Sequence, residues 1–437
     1  MSTGNRIFDF CKKIWPLNRS ITGLGTRQTL IELKKIVREL KILNVSSGKK
    51  VFDWSIPDEW KVNNAYIITP EGKKICDFKK NNLHLLNYSI GIKKKLNLAT
   101  LQKNLYSIPR LPKAIPYKTS YYNKKWGFCI SHNQKKKLKK GIYQVNIQAE
   151  HFKGRMSYGE IILKGKLKKE ILLSTYICHP SLANNEISGP AVLIYLSKWI
   201  QKIKNRKYTY RIIFIPETIG SIAYLSKNFK KMKKNLIGGF NLTCLGDNRT
   251  FSYLPSRDGD TLSDKAVKNL LNKVYPKFKR YNWLDRGSDE RQFCAPGIDL
   301  PIATVMRSKF GAYPEYHTSL DTLGRVVTSK GLNKSYDFLK LLIRSIESNI
   351  YIKSTKYCEP NLGKRNLYTK IGGLTKFDKS YIKQKKNRLY LDVLSYADGK
   401  HSYNDIANLC GLKLNELKSI IKKLLNNKLI TITDYGE

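Results

Sequence analysis

A chain of 437 residues is too long for one compact core and predicts two or three domains at about 100–200 residues each, which excludes a small peptide or a lone binding module. Hydrophobic residues make up 41% and aromatic residues 11%, a globular composition that excludes a disordered or fibrous chain. Lys and Arg total 81 against 33 Asp and Glu, a formal net charge of +48, enough to attract nucleic acid, anionic lipid or acidic glycan.

Residues 27–40 place Leu30, Leu33, Ile36, Val37 and Leu40 at helical spacing behind the turn-and-cap signal Gly23-Leu24-Gly25-Thr26, and predict an amphipathic helix. From about residue 50 to 120 short runs rich in Trp, Tyr and Val are broken by Pro57, Pro70, Gly72, Pro109, Pro112 and Pro116, the texture of a β-rich unit. It is expected as an insertion over 49–120. The near-continuous apolar run 171–178 has the form of a strand buried on both faces of a parallel sheet, and it stops at His179. After the loop 180–189, Pro190 occupies the expected first position of a helix. A second buried strand, 212–215, ends at Pro216-Glu217 and leads into a helix from Ser221, and further strands are expected at 238–245 and 301–306. Strands alternating with helices predict an α/β domain with a mostly parallel sheet over 1–48 and 121–355. Residues 356–387, with Pro360, Gly363, Gly372, Gly373 and many Lys, read as a linker. The tail 388–437 has three short helices, Ser402 as a cap, Gly411 in a tight turn and a closing strand, which together describe a winged helix-turn-helix.

The positive charge is carried by 63 lysines and 18 arginines, and the lysines are scattered from end to end. Arg is the residue that reads bases and phosphates bidentately, so this excess supports nonspecific attraction, and specific nucleic-acid recognition is not expected. The helix 415–427 would read DNA in a regulator, yet it opens with Asn415-Glu416-Leu417; contact with a protein, or self-association, fits that end better. The clusters Lys135-Lys136-Lys137 with Lys139-Lys140, and Lys230-Lys231 with Lys233-Lys234, read as solvated faces. Eight cysteines stand singly without a C-x-x-C pair, as in a reducing compartment. There is no basic segment leading into an apolar core at the N-terminus and no run of about 18 apolar residues. A cytoplasmic, soluble protein without membrane insertion is expected.

In open α/β sheets ligands gather beyond the carboxyl ends of the strands. His179 and Glu217 stand there, and the later segments add His317 and the carboxylates Asp289, Glu290 and Asp321, with Glu186 in the loop after His179. Metal-assisted hydrolysis needs neutral imidazoles and oxygen ligands around a divalent ion, plus a carboxylate that takes a proton from water. Either histidine considered alone is as well explained by an ordinary hydrogen bond. Arg19, Ser20 and Thr22 before Gly23 read as a helix cap or an anion-holding turn. His84, His132, His151 and His401 have no derivable role.

The order of His179, Asn185-Glu186-Ile187-Ser188-Gly189, Glu217-Thr218-Ile219-Gly220, Gly287-Ser288-Asp289 and His317-Thr318-Ser319-Leu320-Asp321 resembles the M28-type zinc aminopeptidases. More closely, the chain resembles bacterial aminopeptidase-like proteins of a domain-of-unknown-function type found in surface-polysaccharide loci. That likeness runs through LNRSITGLGTRQTL, WGFCISHNQKKKL, STYICHPSLANNEISGP, IPETIGSIAYL and EPNLGKRNLY, and so covers nearly the whole chain. It implies a zinc-exopeptidase-like α/β fold with a β-rich insertion and a C-terminal winged helix. It also implies His179 and His317 as outer zinc ligands and Glu217 as general base. Asn185 stands where the resemblance implies a bridging Asp, Thr218 where it implies a Glu ligand, and Thr243, near Asp247, where it implies a second Asp. Ser181 replaces the Asp that would orient the first histidine.

A neutral amide in place of the bridging carboxylate disfavours two zinc ions and leaves one, held by His179, His317 and a substitute such as Glu290 or Asp289, with Asn185 and Arg291 expected to contact substrate. The expected function is metal-dependent hydrolysis of an amide in a peptide or an aminoacylated or acylated sugar, in surface-polysaccharide biosynthesis. The alternatives are a catalytically silent binding or scaffold protein on the same fold, and a DNA-binding regulator.

Overall fold

A computed structural model of the protein describes residues 1–367 and 381–436; residues 368–380 of the expected linker lie outside the described residues. The chain forms two compact units, Met1–Ile343 and Arg344–Glu437.

The first unit is built on an eight-stranded sheet of Lys41–Ser46 (β1), Arg155–Leu163 (β2), Glu170–Tyr176 (β3), Thr209–Ile215 (β4), Leu236–Leu242 (β5), Ser252–Leu254 (β6), Lys279–Arg280 (β7) and Ile302–Met306 (β8). Their order is β1-β2-β4-β3-β5-β8-β6-β7. The four central strands β4, β3, β5 and β8 are parallel, and every residue in them is buried, which is why they read in sequence as continuous apolar runs. β2 and β6 close this core antiparallel to β4 and β8. β3 lies between β4 and β5, so the chain passes to one side of it after the helix Ser188–Gln201 and crosses to the other after the helix Ile219–Asn235. Such a reversal opens a crevice beyond the carboxyl end of β3. At the far end of the same strands the buried Arg211 grips Glu170 at 2.6 and 3.0 Å and so ties β3 to β4.

Several boundaries differ from the sequence expectation. The helix expected over 27–40 spans Leu24–Ile36, because Val37 turns extended toward β1, and the helix Thr3–Ile14 precedes it. The helix expected to begin at Pro190 begins at Ser188, after a single π-helical turn Ala183–Ile187. Pro190 still falls in the first turn, where a missing N–H costs nothing.

The β-rich unit is a four-stranded antiparallel sheet of Lys74–Ile75, Glu59–Ile68, Ile142–Phe152 and Ile92–Asn97, in that order. Its central strand Ile142–Phe152 lies beyond residue 120, where sequence texture placed the end of the insertion. That strand alternates polar with apolar residues and is buried only on one face. Residues 115–119 fold back onto the main domain: Pro116 bridges Thr318, the Tyr117 amide donates to the His317 carbonyl at 2.8 Å, and the Ser319 amide to the Ile115 carbonyl at 2.8 Å.

In the second unit the strand Tyr351–Ser354 pairs with both Asp398–Ser402 and Ile430–Thr433. It therefore begins well before residue 388. Helices Tyr381–Ser395, Tyr403–Leu409 and Leu414–Asn426 complete it around Ile352, Val393, Ile406, Leu417 and Leu424. Ser402 and Asp405 form a reciprocal cap on the second helix. Among the described residues no helix is long and apolar enough to cross a membrane.

Candidate functional site

β3 runs out through Ile177 and Cys178 to His179, which is 4% exposed. The π-helical turn winds wider than an α-helix and brings Glu186 back under His179, with Oε2 2.7 Å from Nδ1. Arg19, wholly buried, donates from Nε to the His179 carbonyl at 3.0 Å and lies 3.6 Å from the other Glu186 oxygen. Burial pushes the Glu186 carboxyl up to about 8 even with Arg19 pulling it down, and in its ionised form, which the guanidinium and any cation bound at His179 both favour, Glu186 is an acceptor. With Glu186 ionised, Nδ1 carries the proton and donates it, which leaves the Nε2 lone pair free. Nε2 faces Glu217 Oε2 at 3.7 Å. Burial, reinforced by Arg19, lowers the His179 pKa to about 3, so the ring is neutral.

His317 comes from the loop after β8 and takes a left-handed backbone, φ +53°. Its ring centre lies 5.4 Å from that of His179. Tyr316 stacks on it at 3.9 Å, and Tyr117 of the inserted segment stands edge-on to both imidazoles at 5.1 Å. Burial, with smaller contributions from His179 and Lys118, holds His317 well below the ordinary imidazole value. Its Nε2 is buried without a hydrogen-bond partner, a costly arrangement for a lone pair unless something occupies it. The Asn185 side chain donates to Tyr176 Oη at 2.7 Å, and that hydroxyl meets Thr243 Oγ1 at 2.5 Å. At two positions where the resemblance implied carboxylates, the chain therefore has a neutral network. Asn185 Oδ1 is left unpartnered.

β4 ends at Glu217, and Thr218 adopts φ +65°, ψ −75° while the Ile219 amide reaches the Glu217 carbonyl at 2.8 Å. This is a γ-turn, rare and strained for a β-branched residue. Asp289 Oδ1 accepts from the Thr218 amide and from Ser221 Oγ, both at 2.8 Å, and Arg291 donates to Thr218 Oγ1 at 2.7 Å. Thr218 is thus occupied. Burial and then the nearby Asp289 push the Glu217 carboxyl up to about 8, with Arg291 opposing, and burial raises Asp289 as well. Asp289 Oδ2 is buried and unpartnered.

Glu290, expected as a substitute ligand, is committed elsewhere: it accepts from the Gly287 and Ser288 amides at 2.7 and 2.9 Å, from Asn241 at 2.9 Å and from Thr304 at 3.1 Å. Its acceptor directions tie the 287–290 loop to β5 and β8. Asp247 is equally taken up by Asn184, Ser308 and the Arg249 amide, and Asp321 accepts from the Asn184 and Asn185 amides and Tyr313. Ser181 turns away from His179, bonding the Trp15 carbonyl and Asn82. The orienting carboxylate that sequence reasoning missed is Glu186; the available signal was an acid in the same loop, seven residues past His179. Arg19, read from sequence as part of a cap or anion-holding turn, is a buried strut. His84 and His132 bond the Cys129 carbonyl and Ser107, His151 packs edge-on to Tyr88, and His401 pairs with Asp398.

Cys178, His179 and Glu186 also lie close enough to share an ion. The Glu217 amide donates to Cys178 Sγ at 3.2 Å, burial holds that thiol in its protonated form, and Arg19 stands beside the carboxylate, so this trio is a hydrogen-bonded post. The donors left free are the Nε2 atoms of two neutral imidazoles, Asn185 Oδ1 and Asp289 Oδ2. These donor types are the ones a divalent cation takes, while among the described residues the trio with Cys178 is the group whose ligand atoms all lie within 4.8 Å of one another. The free donors do not fit two ions, because Arg291 already sets a fixed positive charge beside Glu217.

A family described as a domain of unknown function, DUF4910, matches residues 8–349. The chain belongs to this family. A winged helix-turn-helix family matches residues 349–432. A Clostridium acetobutylicum protein named as a candidate polysaccharide biosynthesis protein with an aminopeptidase-like domain is 39% identical over 431 residues, 98% of this chain and 97% of its own. A crystal structure of a candidate peptidase from the same organism superposes with a TM-score of 0.82 at 38% identity, covering 99% of this chain and 97% of that one. A zinc aminopeptidase from Bacillus subtilis (TM-score 0.57, 13% identity, 78% and 94% coverage) and an M28 peptidase precursor from Shewanella amazonensis (0.55, 12%, 81% and 94%) share the fold. The first unit therefore has the aminopeptidase-like fold that the sequence resemblance implied, and the second is a winged helix-turn-helix.

Because His317 stays neutral in the fold, its stabilising share is complete above the ordinary imidazole value of 6.5 and is lost as the pH falls below it, where the unfolded chain binds a proton the folded chain refuses. Metal-free His317→Asn should gain on the wild type by about 1.4 kcal/mol per pH unit between roughly pH 6 and 4.5, read from urea unfolding. A stability difference that does not change with pH would contradict a buried neutral His317.

Proposed function

We propose that this protein is a cytoplasmic metal-dependent hydrolase that cleaves an amide in a peptide or an aminoacylated or acylated sugar, in a surface-polysaccharide pathway. The observation that carries the reading is the pairing of two neutral buried imidazoles with Glu217, His179 Nε2 lying 3.7 Å from its carboxylate. The aminopeptidase-like fold supports amide chemistry, and the name of the 39% identical relative supports the polysaccharide setting.

His179, His317 and the free oxygen of Asp289 or Asn185 would hold one zinc ion. When bound, it supplies Lewis acidity toward the amide carbonyl and toward water. Glu217 takes the proton from water and returns it to the departing amine. A carboxyl pushed up toward neutral pH performs both transfers more effectively than an ordinary glutamate. Arg291 draws Glu217 toward its anionic form, and its remaining N–H groups, with Asn185, position the substrate. Tyr117 roofs the histidines from the inserted segment and limits access to small or terminal amides.

The winged unit is read as a contact for a protein partner or a second copy. Glu416 caps the helix Leu414–Asn426 through the Lys413 amide at 2.9 Å, which fixes an acid at the end that a DNA-reading helix would press against phosphates.

Turnover on a panel of aminoacyl anilides and N-acylated hexosamines should fall about 10²–10⁴-fold in Glu217→Gln with the melting temperature unchanged. An unaltered rate would remove Glu217 from the reaction, and a wild type that binds a panel member without cleaving it would favour a silent binding protein. Glu186→Gln offers His179 Nδ1 either an acceptor or a donor and no longer selects one tautomer. Its zinc affinity, measured by competition with a chromogenic chelator, should drop about 10–100-fold, and wild-type affinity would show that Glu186 does not govern the ligand.

A further inference from the structure

The lysine cluster at 135–140, read in sequence as a solvated face, contributes to a cavity of about 580 Å³ in the β-rich part of the first unit. The buried Cys76, Ile130 and Tyr143 line it together with residues of the 69–80 and 134–139 segments. Five of its fifteen lining residues are lysines, namely Lys73, Lys74, Lys80, Lys137 and Lys139. At the chain's overall lysine content about two would be expected, so local charge exceeds the general excess. Two carboxylates, Glu71 and Asp77, also line it, leaving a formal excess of three positive charges. Asp77 is spent on Lys74 at 2.9 Å. Among the described residues, Lys73, Lys80, Lys137 and Lys139 have no carboxylate within ion-pair distance. Lys135 is directed elsewhere, onto the Leu105 carbonyl at 2.6 Å.

The walls are held in place. Tyr143 Oη donates to the Lys139 carbonyl at 2.7 Å, and His84 engages the Cys129 carbonyl at 2.8 Å through Nδ1, which fixes its ring in the lining. Ile75, Ile130 and Leu138 offer apolar surface between the charges. The volume is in the range of small-molecule sites, which are apolar with a few fixed polar groups. It greatly exceeds what an inorganic oxyanion fills.

We propose that this cavity is a second binding site, separate from the His179 and His317 centre, for a small organic phosphate ester. Lysines present compact charges that suit a phosphate dianion without the bidentate geometry of arginine, and the apolar lining receives the organic portion. The inference does not rest on the hydrolase reading, since no residue is shared between the two sites.

The test is calorimetric titration of the full chain with glucose 1-phosphate at about 0.15 M salt, where surface charges farther than about 8 Å apart are screened. Saturable binding is expected, weakened at least tenfold in the double variant Lys73→Glu with Lys137→Glu. The control pair Lys230→Glu with Lys231→Glu changes net charge equally on an exposed stretch of the helix Ile219–Asn235 and should bind within twofold of wild type, as should His179→Ala. All substituted lysines are exposed, and melting curves check that the variants fold. Equal losses in the two lysine pairs would reduce the effect to bulk charge and overturn the site. Inorganic phosphate binding as tightly as the ester would overturn the organic-ligand assignment, and loss in His179→Ala would move the binding to the other centre.

Discussion

The buried contact between Arg19 and Glu186 bears on the chemical state of His179, the residue on which the candidate site turns. A carboxylate sealed under a strand end would ordinarily take up a proton, and a protonated Glu186 would donate to His179 Nδ1 and force the imidazole hydrogen onto Nε2. The guanidinium 3.6 Å away opposes that without cancelling it, and a cation at Nε2 would complete the shift to an ionised Glu186 with the hydrogen on Nδ1. The same Arg19 holds the His179 and Ile14 carbonyls, which fastens the N-terminal helices to the end of β3. Truncating one partner of such a pair costs about 3–5 kcal/mol because the other charge is left buried alone. Stability and site electronics are thereby coupled through one side chain.

The crevice economises on charge. Asn185, Thr218 and Thr243 are neutral where the sequence resemblance implied acids, and each is taken into a hydrogen-bonded network, through Tyr176 for the first and third and through Arg291 for the second. What remains is Glu217 beside Asp289, two carboxylates raised chiefly by burial, with Asp289 adding to the push on Glu217. In the proposed reading one cation would neutralise that pair, and a second would meet Arg291. The strained Thr218 turn is the backbone counterpart: it is held by Asp289 on one side and Arg291 on the other, and it turns Glu217 toward His179.

Much of this was legible in the sequence. The four central strands announced themselves as unbroken apolar runs, and the residues at their carboxyl ends, His179 and Glu217, were picked out by topology alone. The orienting acid was not, because its position depends on a π-helical turn that no spacing rule anticipates; an α-helical start at Pro190 would have placed Glu186 differently. Glu290 stands with Asp289 as a candidate substitute ligand on strand-end topology, which says where a residue lies and nothing about how many N–H groups it must satisfy. The β-rich insertion ended too early in the reading because Ile142–Phe152 alternates like a surface strand, and the winged unit began too late because Tyr351–Ser354 is too short to stand out from the helix before it.

The most direct test of the account is elemental analysis of the purified protein, prepared without chelator or affinity histidines, beside the double variant His179→Ala with His317→Ala. One zinc or other transition ion per chain in the wild type, absent from the variant, is the predicted result. No stoichiometric ion in the wild type, with added zinc failing to raise its melting temperature, would contradict a metal-dependent centre and leave a binding protein on an aminopeptidase-like fold.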